Sequence, residues 1–162
     1  MTVMPTTIEI QRGLHQLYDR TEITDLVYRL GACLDEGRYD ELRELLVEDA
    51  TVSTPGGQAE GRAALIAQAR RNHPADQRFQ HVTTNVQLDL DGDRAKVRAN
   101  LVVIITTPDA GPSDAPVPSP RCTIGEVYSF ELLRTPGGWR FSRIGTVPLW
   151  MSGTVPTPAR AG

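Results

Sequence analysis

A chain of 162 residues with 40% apolar content is long enough for one domain with a buried core and a cavity. Its net charge of −3, with arginines scattered among acidic residues, gives no basic face for nucleic acid. The longest apolar run, at 101–105, is far below the ~20 residues that span a bilayer, and residues 1–7 lack the basic and apolar segments of a signal peptide, so we expect no membrane partner and a cytoplasmic location.

The N-terminal half is predicted to be helical. Thr21 caps the second predicted helix and Gly37 ends it. A turn at Pro55-Gly56-Gly57 precedes the last helix. The four predicted helices cover residues 8–19, 22–36, 39–47 and 62–71.

The second predicted helix carries a mixed surface. One residue turns about 100° around a helix axis, so Tyr28 and Asp35 lie about 20° apart, beside an apolar stripe. Gly31 lies between them and leaves space for a pocket. That stripe contains Ile23, Leu26, Val27, Leu30 and Leu34.

The C-terminal half is predicted to be two β-hairpins. Asp91-Gly92 is a tight turn in the first, and Pro136-Gly137-Gly138 joins the strands of the second. Residues 108–120 hold five prolines in thirteen residues, which predicts an irregular, mobile loop that closes a pocket mouth. The predicted strands are residues 79–90, 95–107, 121–134 and 139–147.

Helices followed by an antiparallel sheet predict an α+β fold, with the sheet curled over the helices. We expect one domain over residues 1–150 and a flexible tail over 151–162. Apolar residues on both faces of the sheet predict a homodimer. Trp139 and Phe141 are expected in the core.

Asp35 and His81 are the strongest candidates for chemistry. Asp35 ends a helix and His81 opens an alternating strand, so a carboxylate and an imidazole come from two elements, each bordered by apolar residues. Together they are sufficient to move a proton inside a pocket. The alternative for each is structural, a helix-terminating polar residue and a hydrogen-bonded histidine. His73, just before Pro74, is expected to finish a helix near its negative end.

The sequence contains no motif for metal binding, nucleotide binding or serine hydrolysis. His15, His73 and His81 show no ligand spacing, and no Cys-x-x-Cys, Gly-rich phosphate loop or Gly-x-Ser-x-Gly is present. Cys33 and Cys122 are expected to be buried and reduced. We therefore expect no metal and no cofactor.

Several motifs together resemble the nuclear-transport-factor-2-like (NTF2-like) superfamily, especially its SnoaL-like members. They are Tyr28 to Gly37 (YRLGACLDEG), Tyr39 to Leu42 (YDEL), Glu48 to Val52 (EDATV), Glu60-Gly61-Arg62, Asp91 to Ala95 (DGDRA) and Gly138 to Phe141 (GWRF). The likeness covers residues 10–150. It implies a cone of N-terminal helices packed in a strongly curved, mostly antiparallel sheet around a pocket. The same fold hosts many activities.

Within that superfamily the site pattern is nearest to scytalone dehydratase. An Asp at the matching helix end and a Gln-His strand start serve there as acid and base, and here these are Asp35 and Gln80-His81. Thr54 stands where that family has a Tyr, and no second His lies near Thr106.

Other branches match less well. The base of ketosteroid isomerase-like proteins would fall near Thr54 and their oxyanion Tyr near Leu30, and both are missing. Limonene epoxide hydrolase-like proteins have an Arg-x-Asp, whereas Asn100 ends the nearest match here. SnoaL itself uses a late-strand Asp, for which only Glu126 could substitute.

The resemblance and the residues together predict a cofactor-independent dehydratase, isomerase or cyclase acting on a largely apolar, carbonyl-bearing or polyketide-like molecule. His81 is the expected general acid/base, supported by Asp35, with Tyr28 and Asn85 holding a carbonyl or oxyanion. Further candidate substrate-binding residues are Thr54, Asn100, Thr106 and Tyr128. Alternatives are a non-catalytic small-molecule-binding protein and an assembly module such as the β subunits of ring-hydroxylating dioxygenases.

Overall fold

The computed structural model describes residues 4–107 and 118–156. Its helical elements are α1 (Thr7–Asp35), a 3-10 turn (Tyr39–Glu41), α2 (Leu42–Leu45) and α3 (Arg62–Asn72). Its strands are β1 (Leu46–Thr54), β2 (Gly57–Glu60), β3 (Arg78–Asp91), β4 (Arg94–Thr106), β5 (Cys122–Thr135) and β6 (Gly138–Gly153). The fold is α+β, as predicted.

The two predicted N-terminal helices are one continuous helix of 29 residues. Thr21 does not cap a second helix, because its hydroxyl donates back to the carbonyl of Leu17 at 2.9 Å and the helix continues. The N-terminus is capped instead by Thr6, whose side chain and backbone exchange hydrogen bonds with Glu9.

The six strands form one curved sheet in the order β2-β1-β6-β5-β4-β3. Only the β1–β6 pair is parallel, and the other four neighbouring pairs are antiparallel. The mostly antiparallel sheet is therefore confirmed. On β4 the buried residues occupy every odd position from Ala95 to Ile105, so the concave face toward the helices is apolar.

Several predicted boundaries are wrong. The helix expected at 39–47 ends at Leu45, and Leu46 already extends into β1. The last strand continues to Gly153 rather than Val147, so residues 151–153 are paired with β5 instead of belonging to the tail. Residues 108–117 of the proline-rich loop and 157–162 of the tail lie outside the described residues.

The middle of α1 is fixed to the β5–β6 hairpin. Arg134 donates two hydrogen bonds to Asp19, at 2.8 and 2.7 Å, and its guanidinium lies 4.5 Å over the ring of Trp139. Trp139 in turn donates to Asp19 through Nε1 and to Glu22 through its backbone N–H. Trp139 and Phe141 are fully buried, as predicted. These contacts hold the helix that carries Asp35 against the sheet.

Candidate active site

Asp35 and His81 form a hydrogen-bonded pair between the end of α1 and the start of β3. Nδ1 of His81 lies 2.6 Å from Oδ1 of Asp35, and the backbone N–H of His81 donates to both carboxylate oxygens at 3.0 Å. A carboxylate only accepts hydrogen bonds, so Nδ1 carries a proton, and in the neutral ring Nε2 then has the lone pair. The His81 side chain is 5% exposed and that of Asp35 is 23% exposed.

The local sequence explains why these two residues meet. Asp35 is the last residue of α1, and Gly37, at φ +69°, turns the chain away from the helix. A β-carbon on Gly31 would lie 3.4 Å from the β-carbon of His81. The missing side chain at Gly31 therefore lets β3 approach the helix, and the strand fills the space that the sequence assigns to a pocket.

A cavity of about 220 Å³ lies between the helices and the concave face of the sheet. Its walls are mainly apolar, with side chains that include Leu30, Leu34, Leu42, Leu65, Phe79, Leu101, Val103 and Ile124. Its polar residues are Thr54, Gln68, Asn72, His73, His81, Glu126, Tyr128 and Thr146. An apolar cavity with a few convergent polar groups is typical of a small-molecule site.

Nε2 is the open end of the Asp35–His81 pair. In the described part of the chain no atom hydrogen-bonds to it, and it is not among the unpartnered atoms sealed inside the protein. His81 lines the cavity and also a groove on the outer side of α1 and β3, which Asp35 borders as well. The ring centroid of His81 lies 5.3 Å from that of His73 and 6.4 Å from that of Phe79, and both of those residues line the cavity.

Glu126 places a carboxyl group in the same cavity from β5. It is 9% exposed, and its Oε1 accepts a hydrogen bond from the hydroxyl of Thr146 at 3.3 Å. Burial raises the pKa of Glu126 more than the Thr146 hydrogen bond and the nearby His81 lower it. Burial therefore favours the protonated form of this carboxyl group more than water does.

Tyr128 and Thr54, two of the predicted substrate-binding residues, line the cavity. Tyr128 follows Glu126 by two residues and shares its face of β5. Burial raises the pKa of the Tyr128 phenol, so its O–H stays a donor. Thr54 lies at the end of β1, where its hydroxyl donates to the carbonyl of Gly57 at 3.5 Å.

Tyr28 is not in the cavity. It shares the outer groove with Asp35, as the helical spacing predicts, and its side chain is half exposed. Leu30 and Leu34 present the opposite side of the helix to the cavity. The prediction that Tyr28 holds a carbonyl in the cavity is therefore corrected, because Tyr28 meets His81 at the outer groove and not in the cavity.

Asn85 is also displaced from its predicted position. The pairing of β3 with β4 shifts register between Thr84 and Gln87, and Asn85 has φ +53° in this bulge. Its side chain is exposed, and the more buried positions change from odd to even numbers after it. One extra residue thus breaks the alternation that predicts Asn85 on the face of His81.

Asn100 and Thr106 lie on the outer face of the sheet. On β4 the odd-numbered residues point inward, so both even-numbered side chains point away from the cavity. Asn100 accepts a hydrogen bond from Arg98 at 2.8 Å. Neither residue lines the cavity, which corrects their prediction as substrate-binding residues.

His73 lies in the cavity wall beside His81, a position that the sequence does not reveal. It ends α3 as predicted, yet its ring centroid is 5.3 Å from that of His81 and 4.6 Å from that of Phe79. Burial lowers the pKa of His73 to about 4. Because His73 lies in a connection between elements, no periodicity indicates where its ring points.

The described ranges contain no group of three or more His, Cys, Asp or Glu side chains that could hold a metal ion. Within the same ranges, no helix combines the length and the apolar character needed to cross a membrane. Cys33 and Cys122 are both buried and free.

Comparisons with known proteins agree with this architecture. Residues 15–145 match the family of SnoaL-like domains. The uncharacterized protein Rv2910c of Mycobacterium tuberculosis is 29% identical over 133 residues, which cover 79% of this chain and 84% of that protein.

Solved structures share the fold over nearly their whole length. An NTF2-like protein with a cystatin-like fold from Novosphingobium aromaticivorans has a TM-score of 0.72 and 29% identity, covering 91% of this chain and 92% of that chain. A protein provisionally assigned as a scytalone dehydratase from the same organism has a TM-score of 0.73 at 21% identity, with coverages of 89% and 93%. A hexachlorocyclohexane dehydrochlorinase (LinA, type 2) has a TM-score of 0.74 at 18% identity, with coverages of 92% and 97%.

Proposed function

The chain belongs to the family of SnoaL-like domains, and we propose that it is a cofactor-independent enzyme that removes a proton from carbon in an apolar cavity, in an elimination, isomerisation or cyclisation. His81 is the general base, and Asp35 orients its ring and stabilises the imidazolium that forms. Glu126 is the general acid, and Tyr128 donates a hydrogen bond to the oxygen that gains charge.

The observation that carries this proposal is the geometry of the Asp35–His81 pair. The 2.6 Å contact supports a proton on Nδ1, and in the neutral ring Nε2 then has a lone pair that can act on a molecule in the cavity that His81 lines. A non-catalytic binding protein would have no need for an acid and a base so closely matched, and a separation above about 6 Å would favour that alternative.

The reaction can be written with the groups that line the cavity. Nε2 of His81 takes the proton, and the electrons of the C–H bond form a C=C bond as the bond to a leaving group breaks. Glu126 gives its proton to a departing oxygen. In an isomerisation the same electrons move into a carbonyl, whose oxygen is held by Tyr128, and the imidazolium of His81 returns the proton to another carbon.

The names of two structural relatives support elimination as the reaction class. A dehydratase removes water and a dehydrochlorinase removes hydrogen chloride, and both names occur among proteins that share this fold. The small apolar cavity favours a largely apolar substrate, and a carbonyl-bearing or polyketide-like compound of natural-product biosynthesis remains our proposal for its class.

The test uses 5-nitrobenzisoxazole, a probe whose ring opens when a base removes one C–H proton and the N–O bond breaks. The released phenolate is followed by its absorbance. We expect His81→Ala to lower kcat by about 10²- to 10⁴-fold, the usual contribution of a positioned acid or base, while binding survives. His15→Ala is the matched control, because His15 is exposed on α1 outside the cavity.

Equal rates for wild type and His81→Ala would contradict the catalytic assignment, and the chain would then be a small-molecule-binding member of the family. A His81→Ala variant that loses stability, seen as a lower melting temperature, to the same degree as it loses activity would also contradict the assignment, since the pair would then be structural.

We further propose a homodimer. The end of β6 and the residues after it leave large apolar side chains exposed, namely Val147, Leu149, Trp150, Met151 and Val155. A continuous apolar strand surface of this kind is typical of a subunit contact. Light scattering at micromolar concentration is expected to give twice the mass of one chain, and a monomer would contradict the proposal.

A further inference from the structure

The structure fixes the protonation state of both nitrogens of His73. Its Nδ1 lies 2.8 Å from the carbonyl oxygen of Ala69, which also accepts the backbone N–H of His73 at 3.1 Å. A carbonyl oxygen cannot donate, so Nδ1 must carry a hydrogen. With the ring neutral, Nε2 is a hydrogen-bond acceptor.

The position of the His73 ring is held from several sides. The hydroxyl of Tyr39 donates to the backbone carbonyl of His73 at 2.9 Å, and the edge of the ring packs on Phe79. In residues 4–107 and 118–156, Nε2 has no hydrogen-bond partner, and it is not enclosed by protein atoms. His73 therefore presents a fixed acceptor to the cavity that it lines.

His73 and His81 cannot satisfy one another. Asp35 accepts the Nδ1 proton of His81 and Ala69 that of His73, so when both rings are neutral each has only a lone pair at Nε2. A third acceptor, Oε1 of Gln68, is buried in the same wall without a hydrogen bond in the described chain. The two Nε2 atoms are then acceptors at the cavity wall, and a bound molecule that brings a donor would satisfy them.

We propose that His73 accepts a hydrogen bond from a hydroxyl group of the substrate, which makes hydroxylated apolar compounds the substrate class of this site. The inference rests on the proposed function, because it takes the cavity as the substrate site. A compound with a halogen or a methyl group at the same point offers no donor and leaves Nε2 unpaired. His73 thus selects between otherwise similar apolar substrates.

Two probes of nearly equal shape test this role without requiring turnover. p-Cresol carries a hydroxyl group where p-xylene carries a methyl group, and calorimetry or NMR titration gives their dissociation constants. We expect His73→Phe, which keeps an aromatic ring but removes the acceptor, to weaken p-cresol about 10-fold and to change p-xylene by less than about 2-fold. His73→Gln should restore part of the affinity for p-cresol, because its Oε1 lies near the position of Nε2.

His15→Phe is the matched control. His15 makes the same contact one helical turn back, from Nδ1 to the carbonyl of Gln11 at 2.8 Å, but it does so on the exposed part of α1. It therefore reproduces the loss of a helix contact without touching the cavity. We expect this variant to bind both probes like the wild type.

A direct readout needs no variant. In histidine-labelled protein, ¹H–¹⁵N spectra report which ring nitrogen carries the proton, and the ¹⁵N shift of an acceptor nitrogen moves when it receives a hydrogen bond. We expect His73 to carry its proton on Nδ1. The ¹⁵N shift of its Nε2 should change when p-cresol is added but not when p-xylene is added.

The outcomes separate the role of His73 from that of the cavity. If both probes bind and His73→Phe weakens them equally, or if Nε2 is protonated, the role of His73 is wrong while the proposed function stands. If neither probe binds wild-type protein, the cavity is not a site for apolar molecules and both proposals are wrong.

Discussion

The two sides of the Asp35–His81 pair differ in what they offer to a substrate. On the inner side His81 meets an apolar cavity that also holds Glu126 and Tyr128. On the outer side Asp35, whose side chain is 23% exposed, borders a groove with Tyr28 and Glu36, which His81 also lines. Asp35 is therefore the more exposed member of the pair, and His81 is the member that lines the cavity.

This difference explains how Asp35 can keep its charge while His81 acts in an apolar site. The Asp35 carboxylate keeps partial contact with water and accepts the backbone N–H of His81, which lowers the cost of its charge. His81 lines a mainly apolar cavity, where Nε2 can take a proton from a bound molecule.

The largest effect is expected from the contact that joins the two sides. Asp35→Asn should lower kcat for 5-nitrobenzisoxazole by about 10²-fold or more, because an amide cannot stabilise the imidazolium. The amide can also favour the wrong tautomer of His81, with the proton on Nε2. The shape of the side chain is nearly preserved, so the melting temperature should change little. A wild-type rate would mean that Asp35 only ends the helix.

A smaller effect is expected from the acid on the inner side. Glu126→Gln should lower kcat for the same probe about 10-fold, since the amide can donate a hydrogen bond but not a proton. The protonated carboxyl is the active form, and burial raises its pKa. The wild-type rate should therefore contain a component that falls as the pH rises through this raised pKa, and the variant should lack that component. Identical pH profiles would exclude Glu126 as the acid.

The burial of His73, on the inner side, should also change how the stability of the protein depends on pH. Burial lowers the pKa of His73 to about 4 from 6.5. Between these values the unfolded chain binds a proton that the folded chain does not, so the free energy of unfolding falls as the pH drops from 6.5 to 4, by about 3 kcal/mol in all. Urea titrations should show a shallower fall for His73→Phe, and parallel curves for variant and wild type would contradict the burial of His73.

The smallest effect is expected on the outer side. Tyr28→Phe removes a hydroxyl from the groove and should change kcat and KM by less than about 2-fold, because the helix separates Tyr28 from the cavity. Parallel assays of this variant and the wild type give the comparison. A loss as large as that of Asp35→Asn would reverse our assignment of the two sides.

Much of the fold follows from sequence patterns, because hydrophobic periodicity and turn residues act over short stretches. The β3–β4 hairpin and the end of α1 at Asp35 lie close to their predicted positions. Thr21 is different, since a hydroxyl can cap a helix or donate back within it, and tertiary packing of α1 decides between the two.

The residues of the site can be predicted only in part from the sequence, for a related reason. Asp35 and His81 can be paired because each lies at the boundary of an element. Helical spacing correctly groups Tyr28 with Asp35 but cannot tell which side of a neighbouring strand they face. The bulge at Asn85 breaks strand alternation without any strong signal, apart from the tolerance of Asn for positive φ.

The central claim is that Asp35 and His81 act as one catalytic unit directed into the cavity. A double-mutant cycle tests it most directly, with kcat for 5-nitrobenzisoxazole measured for wild type, Asp35→Asn, His81→Ala and the double variant. We predict that the double variant is as slow as His81→Ala alone, within about 3-fold, since Asp35 acts only through the imidazole. Losses that multiply in the double variant would contradict the claim.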